Sequence, residues 1–206
     1  MNIKNTEFVV FDVETTGLSA QDGDRIVEIA ALKIKNGQVV DKFYSLVNPK
    51  RSIPSQATRI NNITDDMLTE APTAQEVLPK MVSFIAGACV AGHNVRFDLG
   101  FLSYELALMG RKFNESTPAV DTLKMAKDLL PYLSNYRLGY LARSLGVTVS
   151  ETHRAMADVE LTVQVLIRMM DMATDKDLDN VSKFISQFSV EKPSFKLTST
   201  PQASLF

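Results

Sequence analysis

Two carboxylates, Asp12 and Glu14, stand two residues apart in FDVETTGL (residues 11–18), directly after the apolar run Phe8-Val9-Val10-Phe11. On a strand, alternate residues share a face, so both acids point the same way at the end of a buried strand. Side by side there they repel and lose hydration, which costs stability unless a cation lies between them. A third acid, Asp98, closes GHNVRFD (residues 92–98), where the chain leaves an apolar run, turns and begins a helix. Asn94 is placed to cap that helix. In HRAMAD (residues 153–158), His153 precedes a long helix and Asp158 falls in its first turns.

Taken singly, each segment has an ordinary reading. Asp12 and Glu14 could both reach water, Asp98 gains from the helix dipole, and His153 with Asp158 could be no more than an acidic helix start. His93 reads as structural. Together they say more, because one strand end and two helix starts can converge at one edge of a sheet. Oxygen-only ligands select hard cations such as Mg²⁺ or Mn²⁺ over zinc. A pair of such ions is a device for in-line attack of water on a phosphodiester. A histidine of near-neutral pKa nearby can take the proton of that water.

The elements that must position these groups are legible in the pattern. Residues 7–13, 25–35 and 38–47 read as strands, with Asn36-Gly37 as a hairpin turn between the second and third. Residues 73–86 have helical periodicity with Thr73 as N-cap, residues 89–92 form a short buried strand, and residues 95–109 form a helix ended by Gly110. A last short strand falls at Ala119-Val120, followed by helices at 122–130, 137–145 and 155 to about 173, and an amphipathic stretch at 177–188. Strands first, then helices alternating with short strands, indicate an α/β layer fold.

The 206 residues suit one domain with a tail, with 45% hydrophobic and 22% charged residues as in soluble globular chains. The single cysteine, Cys89, excludes an intramolecular disulfide framework and a Cys-rich zinc site, and suits a reducing cytoplasm. The early apolar run is too short for a signal peptide or membrane span, so no membrane association is expected. Lys and Arg number 22 against 24 acids, a net charge of −2, so bulk positive charge is not how this chain would hold a nucleic acid. A carboxylate site loaded with divalent cations leaves that substrate class open.

The three segments, in this order and spacing, resemble the DEDDh branch of the DnaQ-like 3'→5' exonucleases, the branch that includes the epsilon proofreading subunit of bacterial DNA polymerase III. FDVETTGL matches the family's first motif, HNVRFD its second, and the H-x4-D of His153 and Asp158 its third. IVEIAALKI, INNITDDMLTEAP, VDTLKMAKDLLP and YRLGYLARSLGV extend the resemblance over about residues 5–172. It implies a ribonuclease H-like three-layer fold, a mixed five-stranded sheet flanked by helices, over residues 1–174. An additional helix would follow at 175–188 and a flexible tail at 189–206. It also implies metal-dependent release of 5'-mononucleotides from 3' ends with two Mg²⁺ or Mn²⁺.

Residue by residue, the resemblance implies that Asp12, Glu14 and Asp158 hold the more buried ion, that Asp12 bridges to the second, and that Asp98 helps through water. His153 would be the general base. The backbone of Thr15, Thr16 and Gly17 would cradle the terminal nucleotide, with Asn94 nearby and with Leu18 and Phe97 packing on its base; stacking on an aromatic is worth roughly 1–3 kcal/mol. Asp121 is expected as a structural N-cap. Asn61-Asn62 replaces a glycine common in relatives, and asparagine tolerates the left-handed conformation that a glycine would supply.

Gln202-Ala203-Ser204-Leu205-Phe206 resembles the bacterial sliding-clamp-binding pentapeptide of the type Q-x-S/D-L-F. Gln202 and Ser204 would give polar register, and Leu205 and Phe206 would fill an apolar pocket. The polar stretch before it, about a dozen residues, would span roughly 20 Å r.m.s. as a coil and about 40 Å when stretched. Such a tether would hold the enzyme near a DNA end at roughly millimolar effective concentration. Expected partners are therefore DNA and the sliding clamp, with a DNA polymerase subunit also open. Two rival readings stand beside the DNA exonuclease. One is an RNA 3'-exonuclease or oligoribonuclease using the same site. The other is a non-catalytic clamp-binding adaptor, which would have no need to keep mutually repelling acids.

Overall fold

The computed structural model describes residues 2–149 and 154–195. The strands are β1 (Phe8–Thr15), β2 (Ile26–Lys35) and β3 (Gln38–Leu46). The helices α1 (Ser55–Asn61), α2 (Asp65–Leu68) and α3 (Ala74–Ile85) come next. Strand β4 (Cys89–Gly92), helix α4 (Val95–Leu108), strand β5 (Ala119–Asp121) and helix α5 (Thr122–Leu129) alternate along the chain. Helices α6 (Leu138–Ser144), α7 (Ala155–Thr174) and α8 (Val181–Phe188) complete it.

One five-stranded mixed sheet has the order β3-β2-β1-β4-β5. β1 pairs antiparallel with β2 and parallel with β4, so the strand bearing FDVET is central. Its alternation divides the core in two. Phe8 and Val10 join the apolar cluster that includes Val159, Leu166 and Met169 of α7. Val9, Phe11 and Val13 join the cluster that includes Met81 of α3 and Leu99 and Leu102 of α4. The α/β three-layer arrangement expected from the sequence is the one observed, and the Asn36-Gly37 hairpin turn has both residues at positive φ.

Differences from the expected elements have local causes. β1 runs on to Thr15, two residues past the expected end, because β2 continues to pair with it as far as Ile26, with a register shift at Glu14/Thr15. The amphipathic stretch begins only at Val181, since Asp177 turns at φ 59° and the Asn180 side chain caps the helix by accepting from Ser182 N and Lys183 N. Asn62 does take the left-handed conformation, φ 58°.

Residues 189–195 differ from the expected loose tail. Ser189 bridges to Val120 and the Val190 N–H donates to Ala119 O at 2.8 Å, which covers the β5 edge. Lys192 Nζ donates to the carbonyls of Asn114, Glu115 and Thr117. Phe195 meets the Tyr104 ring of α4 edge-on at 5.3 Å. Residues 196–206, including the expected clamp-binding residues, lie outside the described residues.

Candidate active site

Asp12 and Glu14 fall on the α7 face of the sheet because they continue the alternation of Phe8 and Val10. The first turn of α7 delivers Asp158 to the same place. One carboxylate oxygen from each of Asp12, Glu14 and Asp158 lies within 4.8 Å of the other two, and all three side chains are half-buried. Among the described residues, no other three His, Cys, Asp or Glu side chains come so close. This is an all-oxygen donor set, the kind that fits hard divalent cations.

Asp98 arrives from the opposite layer. β4 pairs with β1 only as far as Val10, so the main chain beyond has no partner strand on that side. Asp98 Oδ1 takes up the Val13 N–H at 3.1 Å, across the end of the sheet. It is buried and stands outside the 4.8 Å group. Asn94 occupies the N-cap position of α4, but in the left-handed conformation and with no capping bond from its side chain. Its N–H instead donates to Asp121 Oδ1 at 2.9 Å, and Asp121 also accepts from Leu123 N to cap α5.

The electrostatics match a site built for cations. Burial, then the charges of Asp98, Glu14 and Asp158, push the Asp12 carboxyl well above the usual range. Glu14 is pushed up to about 7 by burial, Asp158 and Glu28, and is pulled back by Arg154 and by a hydrogen bond from Asn61. Asp98 is raised as well, chiefly by burial and against its main-chain hydrogen bonds. A divalent cation among these oxygens would reverse each of those shifts. His93 is half-buried, with Nδ1 2.9 Å from Thr122 Oγ1, and burial lowers its pKa, so it is a neutral structural imidazole near neutral pH. His153 lies outside the described residues.

A cavity of about 360 Å³ opens beside Glu14, lined by Thr15, Thr16 and Gly17, by Leu18 and Phe97, and by Ile60 and Asn61 of α1. Leu18 is 86% exposed and Ile60 is 60% exposed, so two large apolar side chains stand in water at its walls. The loop over residues 16–25 is rigidly braced. Thr16 Oγ1 donates to Asp24 Oδ1 and accepts from Arg25 N, and Ser19 N donates to Asp24 Oδ2. Arg25 then grips the buried Glu105 of α4 through two 2.7 Å bonds. A second, more open groove of about 660 Å³ runs past Asp158, lined by His93, Asn94, Lys127, Tyr136 and Arg137. Asn94 therefore faces this groove rather than the cavity that holds Leu18 and Phe97.

Several members were not among the residues singled out from sequence. Ile60 lies in INNIT, where an isoleucine before two asparagines was the available signal, and Asn61 drew notice there only as part of the Asn61-Asn62 pair that replaces a glycine. Arg25, Glu105, Glu28 and Arg154 act through partners far away in the chain, which no local pattern announces, whereas Asp24 acts through Thr16 and Ser19 of its own loop.

The central antiparallel-then-parallel sheet, with clustered acids on its middle strand and the facing helix, defines an exonuclease-type ribonuclease H-like domain. Residues 9–166, well over half of the chain, match the RNase_T family, described as exonuclease, and the chain belongs to that family. It is 37% identical over 191 residues to the DNA polymerase III PolC-type protein of Clostridium perfringens (strain 13 / Type A), covering 90% of this chain and 13% of that protein. The chain thus spans about an eighth of the length of the curated relatives it matches. Among solved structures, exonuclease X in complex with 5' overhanging duplex DNA superposes with TM-score 0.66 at 26% identity, covering 82% of this chain and 93% of that one. A 3'-exonuclease solved for 3'-end specific recognition of histone mRNA stem-loop superposes with TM-score 0.72 at 17% identity, over 82% of this chain and 66% of that one, a likeness of fold.

Proposed function

We propose that this chain is a 3'→5' exodeoxyribonuclease that removes 5'-mononucleotides from DNA 3' ends in proofreading or repair. The observation that carries the reading is the meeting of Asp12, Glu14 and Asp158 oxygens within 4.8 Å, with Glu14 also lining a cavity walled by Leu18 and Phe97. Asp12, Glu14 and Asp158 would hold divalent metal, two Mg²⁺ or Mn²⁺, with Asp98 supporting from the α4 side. Bound metal supplies charge for the attacking water and for the leaving oxygen. Residues 15–17 hold the terminal nucleotide by main-chain contacts while Leu18 and Phe97 pack on its base and shield it from water. His153 takes the proton of the attacking water. DNA is favoured over RNA by the polymerase III name of the relatives and by the DNA in the exonuclease X complex.

The second part of the reading concerns partners. Gln202, Ser204, Leu205 and Phe206 would bind a sliding clamp, and a DNA polymerase is a further partner. With residues 189–195 anchored on β5 and α4, Phe195 borders Leu18 and Phe97. The pentapeptide then starts seven residues from the rim of the site, at most about 25 Å of extended chain. A cytoplasmic setting fits the reduced Cys89, and among the described residues no helix is long and apolar enough to cross a membrane.

The test uses 5'-labelled single-stranded DNA and RNA of one sequence with Mg²⁺, and Asp12→Ala as control. A ladder shortening from the DNA 3' end and absent in the variant is expected. Digestion of RNA alone would replace the reading with an RNA exonuclease, and no digestion of either would favour the adaptor. Deletion of Leu205 and Phe206 is expected to abolish clamp stimulation while leaving basal digestion intact.

A further inference from the structure

Glu28 lies directly opposite Glu14 in the β1–β2 register, on the same face of the sheet. Like charges so placed are destabilising, and Glu28 is completely buried. The surrounding strand, IVEIAALKI, is apolar, and an apolar residue at position 28 would pack there without any such penalty. Replacing a buried ion pair by well-packed apolar groups is often neutral or stabilising. The acid therefore calls for an explanation other than core filling.

Its hydrogen-bond partners supply one. Arg154 Nε donates to both carboxylate oxygens, at 3.1 and 3.2 Å, and Nη2 donates to Oε1 at 2.6 Å. The Ala155 N–H donates to Oε2 at 2.9 Å, and the Tyr44 hydroxyl donates to Oε1 at 2.7 Å. Arg154 Nη2 closes the network on the Tyr44 hydroxyl at 3.1 Å. Ala155 is the first residue of α7, so its N–H is one of the donors a helix start leaves free. Among the described residues, Arg154 holds the N-cap position without a capping bond from its side chain. A carboxylate from the sheet does that work across 127 residues of chain separation. Asp158 follows Ala155 by three residues, about one turn, and so stands above the residue that Glu28 grips.

We propose that Glu28 is a positioning residue of the metal site: with Arg154 and Tyr44 it pins the start of α7 to β2 and β3, and so fixes where the Asp158 carboxylate meets those of Asp12 and Glu14. This rests on the reading of those three acids as metal ligands. The Arg154 guanidinium, bonded to both Glu28 oxygens, also offsets part of the charge that Glu28 presents to Glu14. Groups that orient metal ligands from outside typically change metal affinity or activity 10–100-fold when lost.

The experiment compares the full chain with Glu28→Gln, Arg154→Lys, Arg154→Met and Tyr44→Phe. Each is melted in EDTA, titrated with Mn²⁺ by thermal shift and by calorimetry, and assayed for kcat and KM on a single-stranded DNA oligonucleotide. Glu28→Gln is expected to weaken Mn²⁺ binding roughly 10–100-fold and to lower kcat, with KM for the oligonucleotide unchanged within about twofold. Arg154→Lys should recover part of the affinity that Arg154→Met loses. Should Glu28→Gln not fold, the two Arg154 variants and Tyr44→Phe decide by the same Mn²⁺ titration. Lower melting temperatures in EDTA with Mn²⁺ affinity and kcat at wild-type values would overturn the proposal and leave Glu28 a purely structural ion pair. A wild-type chain that shows no Mn²⁺-dependent shift would overturn the metal-site reading itself, and this inference with it.

Discussion

Asp98 Oδ1 accepts the main-chain N–H of Val13 at 3.1 Å, tying the start of α4 to the strand end that lies between Asp12 and Glu14. This bond satisfies a donor that β4, ending its pairing at Val10, leaves unpaired. Asp98→Asn keeps an acceptor at that position and removes the charge, so its melting temperature in EDTA should stay near or above the wild-type value. Its activity should fall about 10- to 100-fold. Asp98→Ala loses the acceptor too, and an orphaned buried N–H costs about 1–3 kcal/mol. Comparing the two variants by thermal melting and by digestion separates the two roles. Equal activity of Asp98→Asn and wild type would remove Asp98 from the site.

Gly17 is required by its neighbour. A Cβ at that position would lie 2.3 Å from Asp24 Oδ2, and Asp24 is itself held by Thr16 and Ser19. Gly17→Ala must therefore displace the loop that borders the cavity. KM for a DNA 3' end should rise about tenfold, equivalent to about 1.4 kcal/mol of binding, with a much smaller change in kcat. Steady-state kinetics on a single-stranded oligonucleotide checks this. An unchanged KM would mean that the loop does not touch substrate.

These two cases show how far the sequence reaches. The residue pair Asp12 and Glu14 was legible because strand alternation and a preceding apolar run decide which way both point. Asp158 was legible through the long amphipathic pattern of α7, and the hairpin through Asn36-Gly37. What a residue does when its partner lies far along the chain was not legible. Glu28 looked like one letter of a strand, yet its partners are Arg154 and Ala155. Arg25 gave no hint of the buried Glu105 that it grips. The polar composition of residues 189–195 suggested a loose tail, whereas Val190 adds a main-chain bond to the β5 edge and Lys192 collects three carbonyls. Composition reports what a segment can bury, and not which open sheet edge awaits it.

The raised acids give a pH dependence of definite sign. The Glu14 carboxyl titrates near 4.5 when unfolded and is pushed up to about 7 in the folded, metal-free chain. Below pH 4.5 both states are protonated, and Glu14 contributes nothing. Between 4.5 and 7 the unfolded state ionises while the folded state holds its proton, so stability falls as pH rises, and the penalty is complete above 7. Glu14→Gln should therefore melt above wild type in EDTA at pH 8 and level with it at pH 4.5. Saturating Mn²⁺ should reverse the order at pH 8, since only the wild type retains the full ligand set. Thermal melts at the two pH values, with and without metal, test this. A Glu14→Gln advantage that does not grow with pH would contradict the shift.

The chain segment over β5 offers a separable test of architecture. Lys192 is the hinge of its attachment: its ammonium donates to the carbonyls of Asn114, Glu115 and Thr117 and lies over the Phe113 ring at 5.8 Å. Burial lowers its pKa against the charge of Glu115, and its hydrogen bonds go to those carbonyls. Lys192→Met leaves these acceptors to water and removes the charge from the ring. Because the four acids lie on β1, α4 and α7, away from the Lys192 attachment, basal digestion of single-stranded DNA should stay within about twofold of wild type. The Val190 amide, which donates to Ala119 O, should lose hydrogen-exchange protection by about tenfold, as expected for loss of about 1.4 kcal/mol of local stability. If residues 202–206 bind a clamp, their anchor at Phe195 then loosens and clamp-stimulated digestion declines while clamp affinity of the isolated pentapeptide does not change. Unaltered protection at Val190 would show that Phe195 on Tyr104 and the β5 bridge hold the segment without Lys192.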